Sequence, residues 1–284
     1  MRSPTHYATA VRTPQGRIVI QKVRFKSVVR RIRLLNIPVI RGAIVLLETL
    51  HIGVLSLTYS ASQAVEEERP SKPKGRFAKS LALTASMTMA LGAGFVLFFY
   101  APLMLTGWMG IQSGIVFNLV DGLLRLAIFL GYVFAISRWK EMRRIFQYHG
   151  AEHMTIFAYE SGGELTTELA RVQPRLHPRC GTSFLLVVML VSIVVFMFLG
   201  RPESLADRLV RFAMIPLIGG ISYEFIRLSA RKRFERMLRF AVWPGLALQR
   251  ITTQPPSDDM LEVAIAALEA CLDHQSVKLQ VPAS

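Results

Sequence analysis

The sequence is poor in cysteine and in acidic residues. Only Cys180 and Cys271 occur among 284 residues, which excludes a disulfide framework. The first residues contain no apolar core, so they do not predict a cleavable signal peptide. The 19 acidic residues are outnumbered by 34 lysines and arginines, giving a net charge of +15. No specific nucleic-acid-binding motif accompanies this charge.

What the chain does contain is a large apolar fraction. Hydrophobic residues make up 52% of it, and the mean hydropathy is +0.38. Soluble domains are less apolar than this. The basic residues flank the apolar segments, so contact with anionic lipids explains the positive charge. We therefore predict a mainly α-helical, polytopic membrane protein.

Four segments are predicted to cross the membrane because each is a long apolar run. They are Leu81 to Leu105, Ile111 to Ser137, Phe184 to Gly200 and Phe212 to Ile226. The whole chain divides into residues 1–37 (basic β-hairpin and arm), 38–61 (amphipathic helix), 62–80 (linker), 81–137 (two spans), 138–183 (cytoplasmic loop), 184–228 (two spans) and 229–284 (cytoplasmic helical tail).

The predicted amphipathic helix carries a polar stripe that includes Arg41, Glu48 and Tyr59. Ionisable groups are costly at the centre of a bilayer, so this helix is expected on the membrane surface or against the bundle. An ordinary soluble helix is the alternative. The tail helix, from Ser257 to Leu272, has Ser257 at the N-cap position and a stripe of leucine and alanine.

The distribution of lysine and arginine predicts the orientation. The connection between the first two spans has no basic residue, whereas the loop after the second span and the tail are strongly basic. Both termini and the central loop are therefore expected in the cytoplasm. Arg201, Arg208 and Arg211, between the last two spans, run against the pattern.

The second span contains Asn118, Asp121 and Arg125 on one helical face. Ionisable residues inside a membrane indicate function by default. An ion pair one helical turn apart neutralises itself, however, so a structural role is the alternative.

The most informative motif is His149-Gly150-Ala151-Glu152-His153. It has the His-x-x-Glu-His form of inverted zinc-hydrolase motifs. On a helix the two imidazoles and Glu152 share one face, and Glu160 falls on it as well. The alternative is an amphipathic helix with ordinary polar residues. Gly150, inside the predicted helix, suggests close packing there.

A second cluster follows in the same loop, directly before the third span. His177 and Cys180 are competent metal ligands, and Arg179 lies between them. Glu224 falls near the same membrane surface and is a further candidate ligand. The alternatives are a polar cap on the span for the cluster and an arginine partner for Glu224.

These residues predict the parts of a hydrolytic site. His149 and His153 bind a divalent metal, His177, Cys180 or Glu224 completes the ligand set, and Glu152 is the general base. Arg179 stabilises developing negative charge. Mixed histidine and cysteine ligands favour zinc.

Several motifs resemble those of the YqhQ-like family of bacterial membrane proteins, which are described as predicted metal-dependent enzymes. The matching stretches are Met1-Arg2-Ser3-Pro4, Arg41-Gly42, Tyr59-Ser60-Ala61, Tyr148 to His153, Tyr159-Glu160, His177 to Ser183, Trp243-Pro244-Gly245-Leu246 and Gln249 to Thr253. The resemblance implies a bacterial inner-membrane location. Family members also look to carry a Gly-rich segment before the Met-Arg-Ser-Pro stretch, where this chain begins.

Three functions are open at this point. The first is a metal-dependent membrane hydrolase with its site at the cytoplasmic face. The second is a non-catalytic adaptor whose basic arm, around Arg30, Arg31 and Arg33, binds a membrane or ribosomal protein. The third is a transporter that uses Asp121 and Arg125, and it is least favoured because four spans show no internal repeat.

Overall fold

The computed structural model describes residues 1–65, 74–178, 180–229 and 243–272. The chain begins with an antiparallel hairpin of β1 (His6–Arg12) and β2 (Ile18–Arg24), in which Thr9 pairs with Gln21. Gly16 has a φ of 82°, a left-handed conformation that glycine adopts without steric cost and that closes the turn. This confirms the predicted hairpin.

Helices make up the other regular secondary structure of the described chain. The helices are α1 (Val28–Arg31), α2 (Ile40–Val65), α3 (Lys74–Phe95), α4 (Ala101–Trp108), α5 (Gly114–Ser137), α6 (Lys140–Glu160), α7 (Thr167–Arg171), α8 (Gly181–Met197), α9 (Leu205–Ala213), α10 (Ile215–Ser229), α11 (243–252) and α12 (Asp258–Cys271). A π-helical turn, Val96–Tyr100, joins α3 to α4.

Among the described residues, four helical segments are long and apolar enough to cross a membrane. They are Ile40–Gln63, Thr84–Trp108, Gly114–Ser137 and Leu205–Ser229. Helix α8 is as apolar but shorter. The chain is therefore a membrane protein, as predicted. The amphipathic helix expected over 38–61 is α2, which also reaches the length and apolarity of a span.

Close helix contacts hold the bundle together where glycines permit them. A Cβ on Gly122 of α5 would lie 2.3 Å from Ile193 of α8. A Cβ on Gly220 of α10 would lie 2.2 Å from the carbonyl oxygen of Val39, at the start of α2. A larger residue at Gly220 would have to move the backbone at Val39, and one at Gly122 would displace the Ile193 side chain, so both glycines permit close packing.

A buried polar network lies inside the bundle. Arg125 donates a hydrogen bond of 2.8 Å to Asp121, which confirms the expected pairing one turn apart. Arg211 is buried in the same region and donates to Asn118 and to the Gly200 carbonyl oxygen. The sequence suggested that Arg211 lies in the connection between two spans. Its guanidinium instead lies inside the bundle, where these buried acceptors bind it.

The hairpin, α6 and α12 form a separate layer at one end of the bundle. Leu261 and Ile265 of α12 pack on Ala151 and Met154 of α6. Arg12 of β1 pairs with Glu262 at 2.6 Å. The apolar stripe predicted for the tail helix is buried here, but the Ser257 side chain makes no capping hydrogen bond. This layer places the face of α6 that carries the histidines beside the end of the bundle.

Candidate metal centre

Helix α6 presents the His-x-x-Glu-His motif as the sequence predicts. The rings of His149 and His153 pack edge to face one turn apart, with centroids separated by 4.5 Å. The helix ends at Glu160, and Gly162 follows with a φ of 79°. Gly150 lies against the chain segment after α11, where a Cβ would come within 2.3 Å of the Gln254 carbonyl oxygen. Close packing thus explains the glycine inside the helix.

Backbone carbonyl groups orient both imidazoles. His149 Nδ1 lies 2.8 Å from the carbonyl oxygen of Thr252. His153 Nδ1 forms a short hydrogen bond to the carbonyl oxygen of Arg175. A carbonyl oxygen only accepts, so both Nδ1 atoms carry the proton. In the neutral form of each ring, Nε2 would then offer a lone pair to a metal.

Cys180 brings a thiol to these two rings. It is the N-cap residue of α8, where its side chain accepts from the amide of Thr182. Its Sγ lies 3.2 Å from His149 Nε2. The ligand atoms of His149, His153 and Cys180 all lie within 4.8 Å of one another. This spacing suits three ligands of a single metal ion.

The electrostatics favour a thiolate at this position. Burial alone would raise the pKa of Cys180, but hydrogen bonds from His149 and His153 and the charge of His149 lower the pKa to about 5. Burial lowers the pKa of His149, and its contacts with Cys180 outweigh this and raise it. The thiolate is the form of cysteine that binds metals.

The cluster lines an open cleft of about 310 Å³. Its lining residues are His149, Glu152, His153, Ile156, Glu160, His177, Cys180 and Gly181. Glu152 is exposed to solvent within it. His177 is buried, and its Nε2 lies 4.0 Å from Glu160 Oε2. A carboxylate and a carboxylate–imidazole pair therefore accompany the three ligand atoms.

The structure brings most of the predicted site residues together but not all of them. His149, His153 and Cys180 converge, and Glu152, Glu160 and His177 line the same cleft. Arg179 lies outside the described residues. Glu224 is absent from the cleft lining and binds Arg41 through both carboxylate oxygens, at 2.6 and 2.5 Å. Glu224 therefore pairs with an arginine, which is the alternative that the sequence left open for it.

Replacing Glu224 with glutamine should destabilise the fold without removing metal. Breaking a largely buried pair costs about 3 kcal/mol because the arginine is left without its partner. We expect a lower midpoint of thermal unfolding and unchanged metal content. Glu262→Gln breaks the more exposed pair with Arg12 and should cost less than about 1 kcal/mol. Loss of metal from Glu224→Gln alone would place Glu224 in the ligand set.

Sequence reasoning missed the residues that support the cluster. Gln249 is fully buried, accepts from the backbone amide of His177 at 2.7 Å and donates to its carbonyl oxygen at 2.8 Å. Thr252 contributes its carbonyl oxygen to His149, and Arg175 both supplies a carbonyl oxygen to His153 and donates to that of Thr253. The Gln249-to-Thr253 stretch was already recognisable as a family motif, but without a role.

Comparison with known proteins agrees with the resemblance seen in these motifs. A family model described as a protein of unknown function, DUF1385, matches residues 37–274. The uncharacterized protein YqhQ of Bacillus subtilis (strain 168) is 30% identical over 289 residues, which cover 97% of this chain and 89% of that protein. No solved structure matches the chain. Because the family model spans most of its length, this protein belongs to the DUF1385 family.

Proposed function

We propose that this protein is a membrane-bound, metal-dependent hydrolase whose metal is held by His149, His153 and Cys180. The observation that carries the proposal is the anchoring of both imidazoles through Nδ1 to backbone carbonyl groups. Metal-binding histidines characteristically donate a hydrogen bond from the ring nitrogen that does not bind the metal, and this bond fixes the tautomer. An ordinary polar helix face needs no such orientation.

The ligand set favours zinc. Two imidazoles and one thiolate are intermediate in softness and suit zinc better than calcium or magnesium. Catalytic zinc sites use three protein ligands and keep one position open, whereas structural sites use four. The open cleft beside these three ligand atoms supports the catalytic arrangement.

The other cleft residues supply proton transfer. When held by His149, His153 and Cys180, zinc would supply the Lewis acidity that polarises a substrate oxygen and makes water more acidic. Glu152 is the exposed carboxylate next to the ligands and accepts the proton of the attacking water. His177, whose Nε2 lies 4.0 Å from Glu160 Oε2 in the same cleft, is the proton donor to the leaving group in this proposal. Arg179 keeps its predicted role in stabilising negative charge.

We further propose that the cleft faces the cytoplasm. The hairpin and α12 are in contact, so both termini of the described chain lie on one side. Two termini on the same side of a membrane require an even number of crossings between them. Within the described residues, the α3–α4 segment, α5, α8 and the α9–α10 segment would provide four crossings. Helix α2 is left out of this count. It packs on α10 but also contacts the hairpin along its middle, where Thr9 donates to Ser56 and Arg2 donates to Glu48. The excess of basic residues in the loop around α6 supports the cytoplasmic side of a bacterial inner membrane for this loop.

An adaptor with a structural metal is the second candidate. The arm after the hairpin combines three arginines with exposed apolar side chains, including Leu34, which is 82% exposed. Such a segment suits a protein or membrane partner. This function requires no proton acceptor in the cleft, so it predicts that Glu152 is dispensable and that charge reversal at Arg30, Arg31 and Arg33 is not tolerated.

Glu152→Gln should separate the two candidates. Glutamine keeps the size of the side chain but cannot accept a proton, so hydrolysis should fall at least about 100-fold. The assay uses the purified protein with zinc and a panel of ester, amide and phosphodiester substrates, and metal content is measured in parallel.

Glu141→Gln, on an exposed turn of the same helix, is the matched control and should retain activity. Unchanged hydrolysis in Glu152→Gln would exclude the proton-accepting role. A zinc-loaded protein that hydrolyses none of the panel, with a functional Glu152→Gln variant in cells, would favour the adaptor.

A further inference from the structure

A second cleft lies at the end of the bundle opposite the histidine–cysteine cluster. Its volume is about 390 Å³, and its lining residues are Leu103, Met104, Gly107, Phe117, Arg201, Pro202, Glu203 and Arg208. The end of α4, the start of α5 and the connection from α8 to α9 meet here. A Cβ on Gly114 would lie 3.1 Å from Gly200, so the start of α5 and the connection from α8 to α9 approach closely.

The cleft contains Arg201 and Arg208, two of the three arginines that do not fit the orientation predicted from the distribution of lysine and arginine. The third such residue, Arg211, is held by Asn118 and the Gly200 carbonyl oxygen inside the bundle. Basic residues are depleted on the side of a membrane away from the cytoplasm. Arg201 and Arg208 therefore need a different explanation, and the cleft that they share provides one.

The two guanidinium groups keep their charge available to a ligand. Arg201 donates to the Ile111 carbonyl oxygen at 3.3 Å and lies over the Phe117 ring, 5.4 Å from its centroid. Arg208 Nε is buried without a hydrogen-bond partner in the described structure. Within the same residues, no carboxylate forms an ion pair with either arginine. Arg201 is oriented by neutral groups, and neither charge is neutralised.

The neighbouring carboxylates do not cancel this charge. Asp207 accepts hydrogen bonds from the backbone and hydroxyl of Ser204, which form the capping box of α9. Glu203 is the acidic residue in the cleft lining, and it is exposed. The lining thus carries two positive charges and one negative charge, which favours an anion over a cation.

Exposed aromatic residues place the cleft at headgroup depth. Trp108 is 82% exposed and Phe198 is 86% exposed, and both lie at helix ends beside the cleft. Tryptophan concentrates at the boundary between hydrocarbon and headgroups. A lipid phosphate at that level is within reach of the arginine side chains.

We propose that Arg201 and Arg208 form a binding site for a phosphate-bearing anion, either the headgroup of an anionic phospholipid or a soluble phosphate compound. Arginine suits phosphate because its planar guanidinium donates two parallel hydrogen bonds. The site is separate from the proposed metal centre and does not depend on it.

Calorimetric titration of the purified full-length protein in detergent tests the site with three probes. These are dihexanoylphosphatidylglycerol, inorganic phosphate and dihexanoylglycerol, which lacks phosphate. We expect Arg201→Gln and Arg208→Gln each to weaken binding of the phospholipid by about tenfold, the loss expected for one charged hydrogen bond. Glu203→Gln should strengthen binding, because it removes a repelling charge. Arg144→Gln, exposed on α6, is the control and should leave affinity unchanged.

The strengthening in Glu203→Gln distinguishes a site from general destabilisation, which would only weaken binding. Binding of the phospholipid but not of inorganic phosphate identifies a lipid headgroup as the ligand. Binding of both, with the same response to the variants, identifies a soluble phosphate compound. Equal affinity in all variants, equal binding of dihexanoylglycerol, or no binding of either phosphate probe would overturn the proposal.

Discussion

Replacing Cys180 with serine should weaken zinc binding by roughly 100-fold. Four-ligand zinc sites bind with about 10–16 kcal/mol, so one ligand contributes roughly 3 kcal/mol, or about two orders of magnitude in affinity. A hydroxyl is a poor substitute because it does not ionise at neutral pH, whereas the environment of Cys180 lowers its pKa to about 5. In the cobalt-substituted protein, the sulfur-to-metal charge-transfer absorption should disappear.

Cys271→Ser is the matched control, because Cys271 is the other buried cysteine and lies in α12, where it donates to the Met1 carbonyl oxygen. This variant should keep both the absorption and the affinity. If the charge-transfer band survives in Cys180→Ser but is lost in Cys271→Ser, then Cys271 and not Cys180 is the metal ligand.

Gly150→Ala should lower metal affinity by about 10- to 100-fold, the usual cost of losing a hydrogen-bond partner of a ligand. The new Cβ would come within 2.3 Å of the Gln254 carbonyl oxygen and push the segment after α11 away from α6. The Thr252 carbonyl oxygen that orients His149 lies at the end of α11, next to this segment. Metal titration with a competing chelator measures the change.

The direction of this effect is informative because alanine ordinarily favours a helix over glycine by about 1 kcal/mol. Gly131→Ala in α5 has nothing within 4 Å of the added Cβ and should leave metal affinity unchanged. If Gly150→Ala binds metal as tightly as the original protein, then the packing of α6 against this segment does not position the cluster.

Local patterns predict the parts of this molecule whose structure is determined by neighbouring residues. Helical spacing places His149, Glu152 and His153 on one face, and alternation with a glycine-containing turn gives the hairpin. The unusual glycine in the motif correctly indicates close packing. Apolar runs identify three of the four segments that are long and apolar enough to cross a membrane, because the bilayer requires such segments to be continuous. The fourth, in α2, was predicted as an amphipathic helix.

Contacts between distant segments are not predictable in this way. The carbonyl oxygen that orients His149 belongs to Thr252, 103 residues later, and every residue has a carbonyl oxygen. Glu224 looked like a ligand because of its depth, whereas its position is explained by Arg41, 183 residues earlier. Arg211 looked like a loop residue, but Asn118 and Gly200 hold it inside the bundle. Each case depends on tertiary packing, which the local sequence does not encode.

The most direct test of the account is the metal content of the protein purified in detergent, compared with the His149→Ala/His153→Ala double variant by mass spectrometry. We predict close to one zinc per chain in the original protein and almost none in the double variant. Correct folding of the variant is checked by its unfolding transition. No metal in either protein, including after incubation with zinc, manganese and iron, would contradict the proposed centre.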